Sequence, residues 1–450
     1  MADNQRNSTL SDLTEALLAA ARAAGADAGD ALAVSERSQS IEVLSGALEH
    51  AERSEGIDIG LRVLVGQRQA CVSSSDINPD TIRQMAERAV AMAKEAPEDA
   101  SIGLATPEQL AKSWDMAALE LADPMSEPDP ATLQRDALEA EAGALAVKGV
   151  AQVEGAGASY SSQSLHLATS NGFSGGYART GRSISCAAIS GEGLSMEQDY
   201  CGESRTFQSD LPDATKIGQI AGERAVARIA PKRPPTGAYP VLFDERISSS
   251  LIGHFLAAIN GASIVRGSSW LRDALGKAVL PKGMSLIEDP LRARVSGSRP
   301  FDGEGLAVSA REIVRDGVLT GWTLDLATGR QLGMDSTGNA SRGTSSPPSP
   351  SSGNMVLTPG ASNRADLIAE MGTGLIVTFM IGASINPTTG DYSRGASGLW
   401  VENGEITGPV NECTIAGNLR EMLLSMQAAN DARPHLSRLV PSLLVEGAGA

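Results

Sequence analysis

Aromatic residues are scarce: phenylalanine, tyrosine and tryptophan make up 3% of the 450 positions. That leaves few platforms on which bases could stack. No run of lysines or arginines occurs, and the formal net charge of −17 repels a phosphate backbone from the average surface. Nucleic acid is therefore not an expected partner. No apolar stretch approaches the roughly 18 residues of a membrane span. The start, MADNQRNSTLSDL, lacks the apolar centre of a signal peptide. The four cysteines, Cys71, Cys186, Cys201 and Cys413, are far apart and include no C-x-x-C pair. That suits a reducing compartment better than a disulfide framework, and buried structural thiols are the expected role. Together these absences predict an acidic, soluble, cytoplasmic protein that meets neither nucleic acid nor membrane.

Catalytic signatures are also missing. Gly155-x-Gly157, Gly191-x-Gly193, Gly303-x-Gly305 and Gly372-x-Gly374 lack a third glycine at the spacing of a dinucleotide fingerprint. Ala278 follows Gly276-Lys277 where a phosphate loop needs serine or threonine. No G-x-S-x-G elbow is present. The four histidines, His50, His166, His254 and His435, stand alone, with no H-x-x-x-H or H-E-x-x-H pair. No helix thus offers two zinc ligands one turn apart.

What is present reads as α+β. A helix is predicted over 8–24 and strands over 31–36, 40–52, 57–65 and 69–75. Within the third strand, Ile57, Ile59, Leu61 and Val63 alternate with polar or small residues, so one face is buried. Asn78-Pro79, Thr106-Pro107 and Asp129-Pro130 each pair a capping residue with proline, the start signal of a helix. They predict one helix after residue 78, a short one after 106 and a longer one over 130–148. Residues 150–207 read as an antiparallel meander of about four strands, with Asn171-Gly172 at a hairpin. A helix over 213–229, capped by Asp213, precedes the segment PKRPPTG at 231–237. Three prolines there mark a linker. The division is an N-terminal α+β domain over 1–230, that linker, and a strand-rich C-terminal domain over 238–450. Asp316-Gly317 and Asn403-Gly404 predict further hairpins. Residues 336–353, STGNASRGTSSPPSPSSG, have no apolar periodicity and predict a mobile loop. A short helix near 418–428 and a strand near 439–445 complete the reading, with no repeat of fixed period.

The stretch after the linker carries the main question. A strand, Val241-Leu242-Phe243, leads into a helix on which Ile247, Leu251, Phe255 and Ile259 recur every four residues, with Ile252 and Leu256 on the same face. Asp244 is the expected N-cap and Asn260-Gly261 the expected stop. His254 lies in its middle between Gly253 and Phe255, so no carboxylate beside it can act as a general base. Two later segments combine charge with turn residues: NPTTGDYSRGASG at 386–398 and RPFDGEG at 299–305. Arg299, Asp302, Asp391, Tyr392 and Arg394, with His254, are candidate contacts for an extended peptide. The competing reading is a structural turn in which Asp391 and Arg394 pair on the surface.

At these segments the chain resembles the TldD/PmbA family, in its PmbA (TldE) branch. The resemblance is carried by SSLIGHF at 249–255 with LGK at 275–277, by FDGEG at 301–305 and by LGMDSTGN at 332–339. It extends through TGDYSRGASG at 389–398, WVENGEI at 400–406, IAGNL at 415–419 and SSSDI at 73–77. It implies a cytoplasmic α+β protein that dimerises. It also implies a partner of the TldD type, whose zinc is held by H-E-x-x-x-H on the corresponding helix and by a cysteine near the C-terminus. Matched on Gly261, the two histidine positions fall on Ile252 and Ala257 and the glutamate on Gly253. His435 falls loosely near the cysteine position. The resemblance thus implies the subunit without catalytic zinc, in a heterodimer that cleaves unfolded peptides. Three alternatives stay open: a homodimer when the chain is alone, a peptidase with its own unrecognised site, and a non-proteolytic protein that modulates DNA gyrase.

Overall fold

The computed structural model describes residues 2–449, and the side chains of 9–382 and 384–446. Six strands form the N-terminal sheet: β1 (Ala28–Leu44), β2 (Ala47–Val65), β3 (Arg68–Ser74), β4 (Val150–Thr169), β5 (Ser174–Ser190) and β6 (Glu197–Arg205). Every neighbouring pair is antiparallel, in the order β3-β2-β1-β4-β5-β6. The helices Ala2–Ala23 and Pro79–Glu95 cover the first three strands, burying Leu10, Leu17, Met85 and Val90 against Ile59, Leu61 and Val63. The helices Pro130–Leu145 and Ala214–Val226 cover the second three, burying Leu133 and Ile217 against Ile184. Each half therefore runs helix, three strands, helix, and the β1–β4 pairing joins the halves. The repeat is one of backbone plan, which is why no fixed period shows in the sequence.

Most local signals form the elements expected of them. Asp129 and Asp213 accept hydrogen bonds from Thr132 N and Lys216 N as helix caps. Asp316-Gly317 and Asn403-Gly404 are hairpin turns with positive φ at both residues (47° and 81°, 54° and 79°), as a type I′ turn requires. The differences are also local. Ser45-Gly46, at φ 54° and 75°, is a turn of the same kind, so the strand expected over 40–52 is split between β1 and β2. Residues 150–207 supply three strands rather than four, because β4 and β5 are each about three times the length of an ordinary strand. The residues after Pro107 form turns rather than a helix.

In the C-terminal half, β7 (Ala238–Phe243) runs parallel to Gly374–Ile385 and antiparallel to Leu443–Gly449. The sheet continues from Gly374–Ile385 to Asp391–Glu402 and Glu405–Asn418. The pairing of Ala416 with Gly449 brings that last strand back against Leu443–Gly449, closing five strands into a ring. A smaller sheet is built from Val318–Leu319, Arg311–Arg315, Leu286–Glu288, Met355–Leu357 and Arg438–Leu439. One core joins the ring, the small sheet and the helix Glu245–Ala258.

Two segments expected to be loose are tied down. The proline-rich stretch lies along Glu405–Asn418: Lys232 N donates to Pro409 O at 3.0 Å and Asn411 N to Lys232 O at 3.2 Å. Residues 336–353 form a strap over the outer face of the N-terminal sheet instead of a mobile loop. Arg342 enters an ion pair with Asp30 of β1, which Arg62 of β2 also holds at 2.5 Å. All three side chains are buried. At Gly60 any Cβ would collide with the backbone of Thr344. The absence of apolar periodicity in the strap is explained by an anchor that is charge and close backbone approach rather than an apolar stripe.

Candidate functional site

The helix Glu245–Ala258 forms where its apolar residues predict, with Leu251, Ile252, Phe255 and Leu256 buried. Asp244 caps it, accepting from Arg246 N at 3.4 Å and from Arg364 Nη2 at 3.0 Å. Asn260 does not simply stop the helix. It accepts from Ala262 N as cap of a second short helix, Gly261–Val265.

His254 is half-buried, and its ring meets the ring of Tyr392 edge-on at 5.8 Å. Tyr392 is buried, and its hydroxyl donates to Met380 Sδ at 3.4 Å. Burial pushes this phenol up to about 12, partly opposed by Arg394, which hydrogen-bonds to it. Arg394 stands two residues further along the strand, hence on the same face, and its Nε donates to Gly382 O at 2.7 Å. Arg438, from the small sheet, lays its guanidinium over Gly253; a Cβ there would be 2.9 Å from Nη1. Burial lowers the imidazole pKa of His254, and the positive charges of Arg394 and Arg438 lower it further. His254 Nε2 is buried without a hydrogen-bond partner.

Of the candidate contacts, His254, Tyr392 and Arg394 therefore come together. The other three do not join them. Asp391 is exposed and accepts from Thr389 Oγ1 at 2.6 Å and Asn418 Nδ2 at 3.1 Å. Those bonds hold its carboxyl below the usual range. It makes no ion pair with Arg394, so the surface pair expected of that turn does not form. Arg299 donates to Gly338 O at 3.3 Å beside a hollow of about 260 Å³ between β4, β5 and the segment 297–303. Asp302 is almost wholly buried, and both its oxygens are used: Oδ1 accepts from Glu304 N and Leu306 N at 2.9 Å, Oδ2 from Ala340 N at 3.0 Å. It ties the strap to its own loop and is out of reach of a peptide. Arg438 was not singled out in the sequence. The one local signal was Gly253, a mid-helix glycine that lets a side chain approach the backbone.

The residues around His254 do not fit a zinc ion. Zinc needs several deprotonated or neutral donors. Here one imidazole faces two guanidiniums and a phenol held in its protonated form. Among the described residues no three His, Cys, Asp or Glu side chains gather as a metal site would require. Cys413 donates its thiol to Ala396 O at 3.2 Å, and burial raises its pKa. His435 faces Glu203 of β6 at 3.3 Å, at a separate hollow of about 380 Å³.

Close to Asp302 lies Glu304, also buried, with Oε2 accepting from Leu326 N at 2.9 Å. Burial, and after it the charge of Asp302, push the Glu304 carboxyl up to about 8. Its folded pKa is thus above its ordinary value of 4.5, so the folded chain keeps a proton that the unfolded chain has released. Stability is present below that value and is lost as pH rises through the window from about 4.5 to about 8. Glu304→Gln keeps the acceptor for Leu326 N and removes the charge. The variant should lose less melting temperature than the parent across that window, as scanning calorimetry at its two ends will read. Identical pH profiles would refute the assignment.

Three family profiles match the chain: the PmbA/TldA metallopeptidase domain 1 over 29–93, the central domain over 123–229 and the C-terminal domain over 236–450. The first two correspond to the two halves of the N-terminal sheet. A metalloprotease PmbA of Escherichia coli is 35% identical over 79% of this chain and 76% of its own length. A PmbA homologue of Haemophilus influenzae is 38% identical over 84% of this chain and 82% of its own. A crystal structure from Bacteroides thetaiotaomicron, named as a candidate modulator of DNA gyrase, superposes with a TM-score of 0.90 at 27% identity, covering 97% and 98% of the two chains. TldE from Thermococcus kodakarensis shares the fold, with a TM-score of 0.84 at 20% identity over 97% and 99% of the two chains.

Proposed function

The chain belongs to the PmbA/TldD metallopeptidase family, and from that premise we propose that it is the subunit that carries no zinc in a two-subunit metallopeptidase of the cytoplasm. The observation behind this reading is the environment of His254. The helix that begins at Asp244 offers one imidazole and no carboxylate beside it, and the charges acting on that imidazole are both positive. A dication would meet repulsion there instead of ligands.

On this reading a TldD-like partner holds the zinc and polarises the scissile carbonyl of an unfolded peptide. This chain supplies wall and backbone edges that hold the peptide extended. The purified chain alone should then contain far less than one zinc per molecule and leave unfolded peptides intact. Mixing with a TldD-like subunit should produce chelator-sensitive cleavage. Stoichiometric zinc retained by the isolated chain after mild chelation would sink the reading, as would peptidase activity of the chain alone.

A further inference from the structure

Two guanidiniums without a counter-charge converge on one imidazole. Arg394 comes from the strand Asp391–Glu402 and Arg438 from the small sheet, yet both act on the same imidazole. Among the described residues neither has a carboxylate within ion-pair distance, whereas Arg62, Arg182, Arg246 and Arg311 all do. Arg438 is exposed and Arg394 half-buried, so an anion can reach both. His254 adds an orphaned Nε2, while the Tyr392 hydroxyl accepts from Arg394 and donates to Met380 Sδ and so braces the arginine.

These groups are of one kind. Arg394, Arg438 and, in its Nε2-protonated tautomer, His254 present donors, and none presents an accepting charge. Apolar surface lies alongside: Ile381 is 66% exposed, and it precedes Gly382, whose carbonyl accepts from Arg394 Nε. A small inorganic anion has no use for that flank, whereas a peptide residue next to a carboxylate does.

We propose that Arg394, Arg438 and His254 form a binding site for a carboxylate of an extended peptide, with buried Tyr392 bracing Arg394 through its hydrogen bond and the neighbouring side chain of the peptide against Ile381. The guanidiniums supply charge-assisted hydrogen bonds, the strongest a carboxylate can accept here. The choice of a peptide as carrier rests on the function proposed above; the carboxylate chemistry does not. The carboxylate has two sources, a free C-terminus or an Asp or Glu side chain.

The test uses the full chain without any partner and three probes in isothermal titration: a short N-acetylated alanine-leucine peptide with a free C-terminus, the same peptide as its amide, and an amide containing one glutamate. At least one carboxylate-bearing probe should bind about tenfold or more tightly than the plain amide. Preference for the free acid identifies the C-terminus as source, and preference for the glutamate peptide identifies a side chain. Arg394→Gln and Arg438→Gln should each weaken the preferred probe by about tenfold and together abolish the preference. Arg394→Lys and Arg438→Lys should retain part of it. Circular dichroism should show both glutamine variants folded.

Equal binding of all three probes overturns the inference. So does an undiminished preference in the folded double variant, or the absence of any binding. Displacement by inorganic phosphate alone, with no peptide bound, overturns it too. Failure here with intact cleavage by the reconstituted complex would remove only the carboxylate site. Carboxylate binding without any recovered metallopeptidase partner would remove only the function proposed above.

Discussion

Asp30→Asn should lower the stability of the chain by about 3–5 kcal/mol, the cost of breaking a buried ion pair from one side. Asp30 is the carboxylate shared by Arg62 at 2.5 Å and by Arg342 of the strap. Burial lowers the pKa of both arginines, that of Arg342 to about 10, yet both remain charged at neutral pH. Arg342 Nη1 and Nη2 and Asp30 Oδ1 find no well-angled hydrogen bond. Charge attraction rather than hydrogen-bond geometry therefore holds the strap at this point. Asparagine would leave Arg342 without a counter-charge and Arg62 with only the more distant carboxyls of Glu304 and Asp325. Urea unfolding should show the loss, and limited proteolysis should show faster cutting within 336–353. Adding Arg342→Met should recover part of the loss, because it removes one of the stranded charges. A single-variant loss below about 1 kcal/mol would mean the pair is open to solvent.

Gly218→Ala should also destabilise the chain, by about 3 kcal/mol, against the trend of helix propensity. In an ordinary helix interior, alanine gains about 1 kcal/mol over glycine. Here the added Cβ would strike the carbonyl oxygen of Ala140, a backbone atom of the neighbouring helix that no rotamer change can move aside. Gly143 is also too close to the backbone of Thr215 to take a Cβ, so the two helices touch main chain to main chain and must separate to admit a methyl group. Overpacking of this kind typically costs 1–3 kcal/mol, roughly, and more where the backbone cannot yield. Gly56→Ala is the control, because nothing lies near its Cβ position. Equal melting temperatures for the two variants would show that the helices adjust.

The contrast between these residues shows where sequence reasoning stops. The turns at Asp316-Gly317 and Asn403-Gly404, the caps at Asp129 and Asp213 and the apolar face of the helix after Asp244 are all written within a few neighbouring residues. They were legible for that reason. The strap carries no local signal because its anchors, Asp30 and Arg62, lie about 300 residues earlier in the chain. The duplicated plan of the N-terminal sheet was invisible because shared topology needs no shared residues. In the candidate site, His254, Tyr392 and Arg394 could be named because each sits in an unusual local context. Arg438 could not, since nothing near it sets it apart and only the meeting of two sheets brings it to His254. Asp302 misled in the opposite direction. Its turn-rich setting suggested an exposed contact, but the segment folds inward and the carboxylate serves three backbone amides.

The closed ring of the C-terminal half carries a cost during synthesis. β7 takes Gly374–Ile385 on one side and Leu443–Gly449 on the other, and Phe243 waits for Leu443, about 200 residues further on. The ribosome must therefore release a long stretch with β7 unpaired, then with one open edge, before the gap is filled. Open edges of this kind are templates for pairing with foreign strands. The wait in the N-terminal sheet is shorter: β1 pairs with β4 at Asp30–Thr169 and Val43–Ala156, and the sixth strand is complete by Arg205. A nascent chain arrested between these points would be half finished in a specific sense: a complete first sheet tethered to an adhesive, unclosed second one. Chaperone demand should concentrate in that interval.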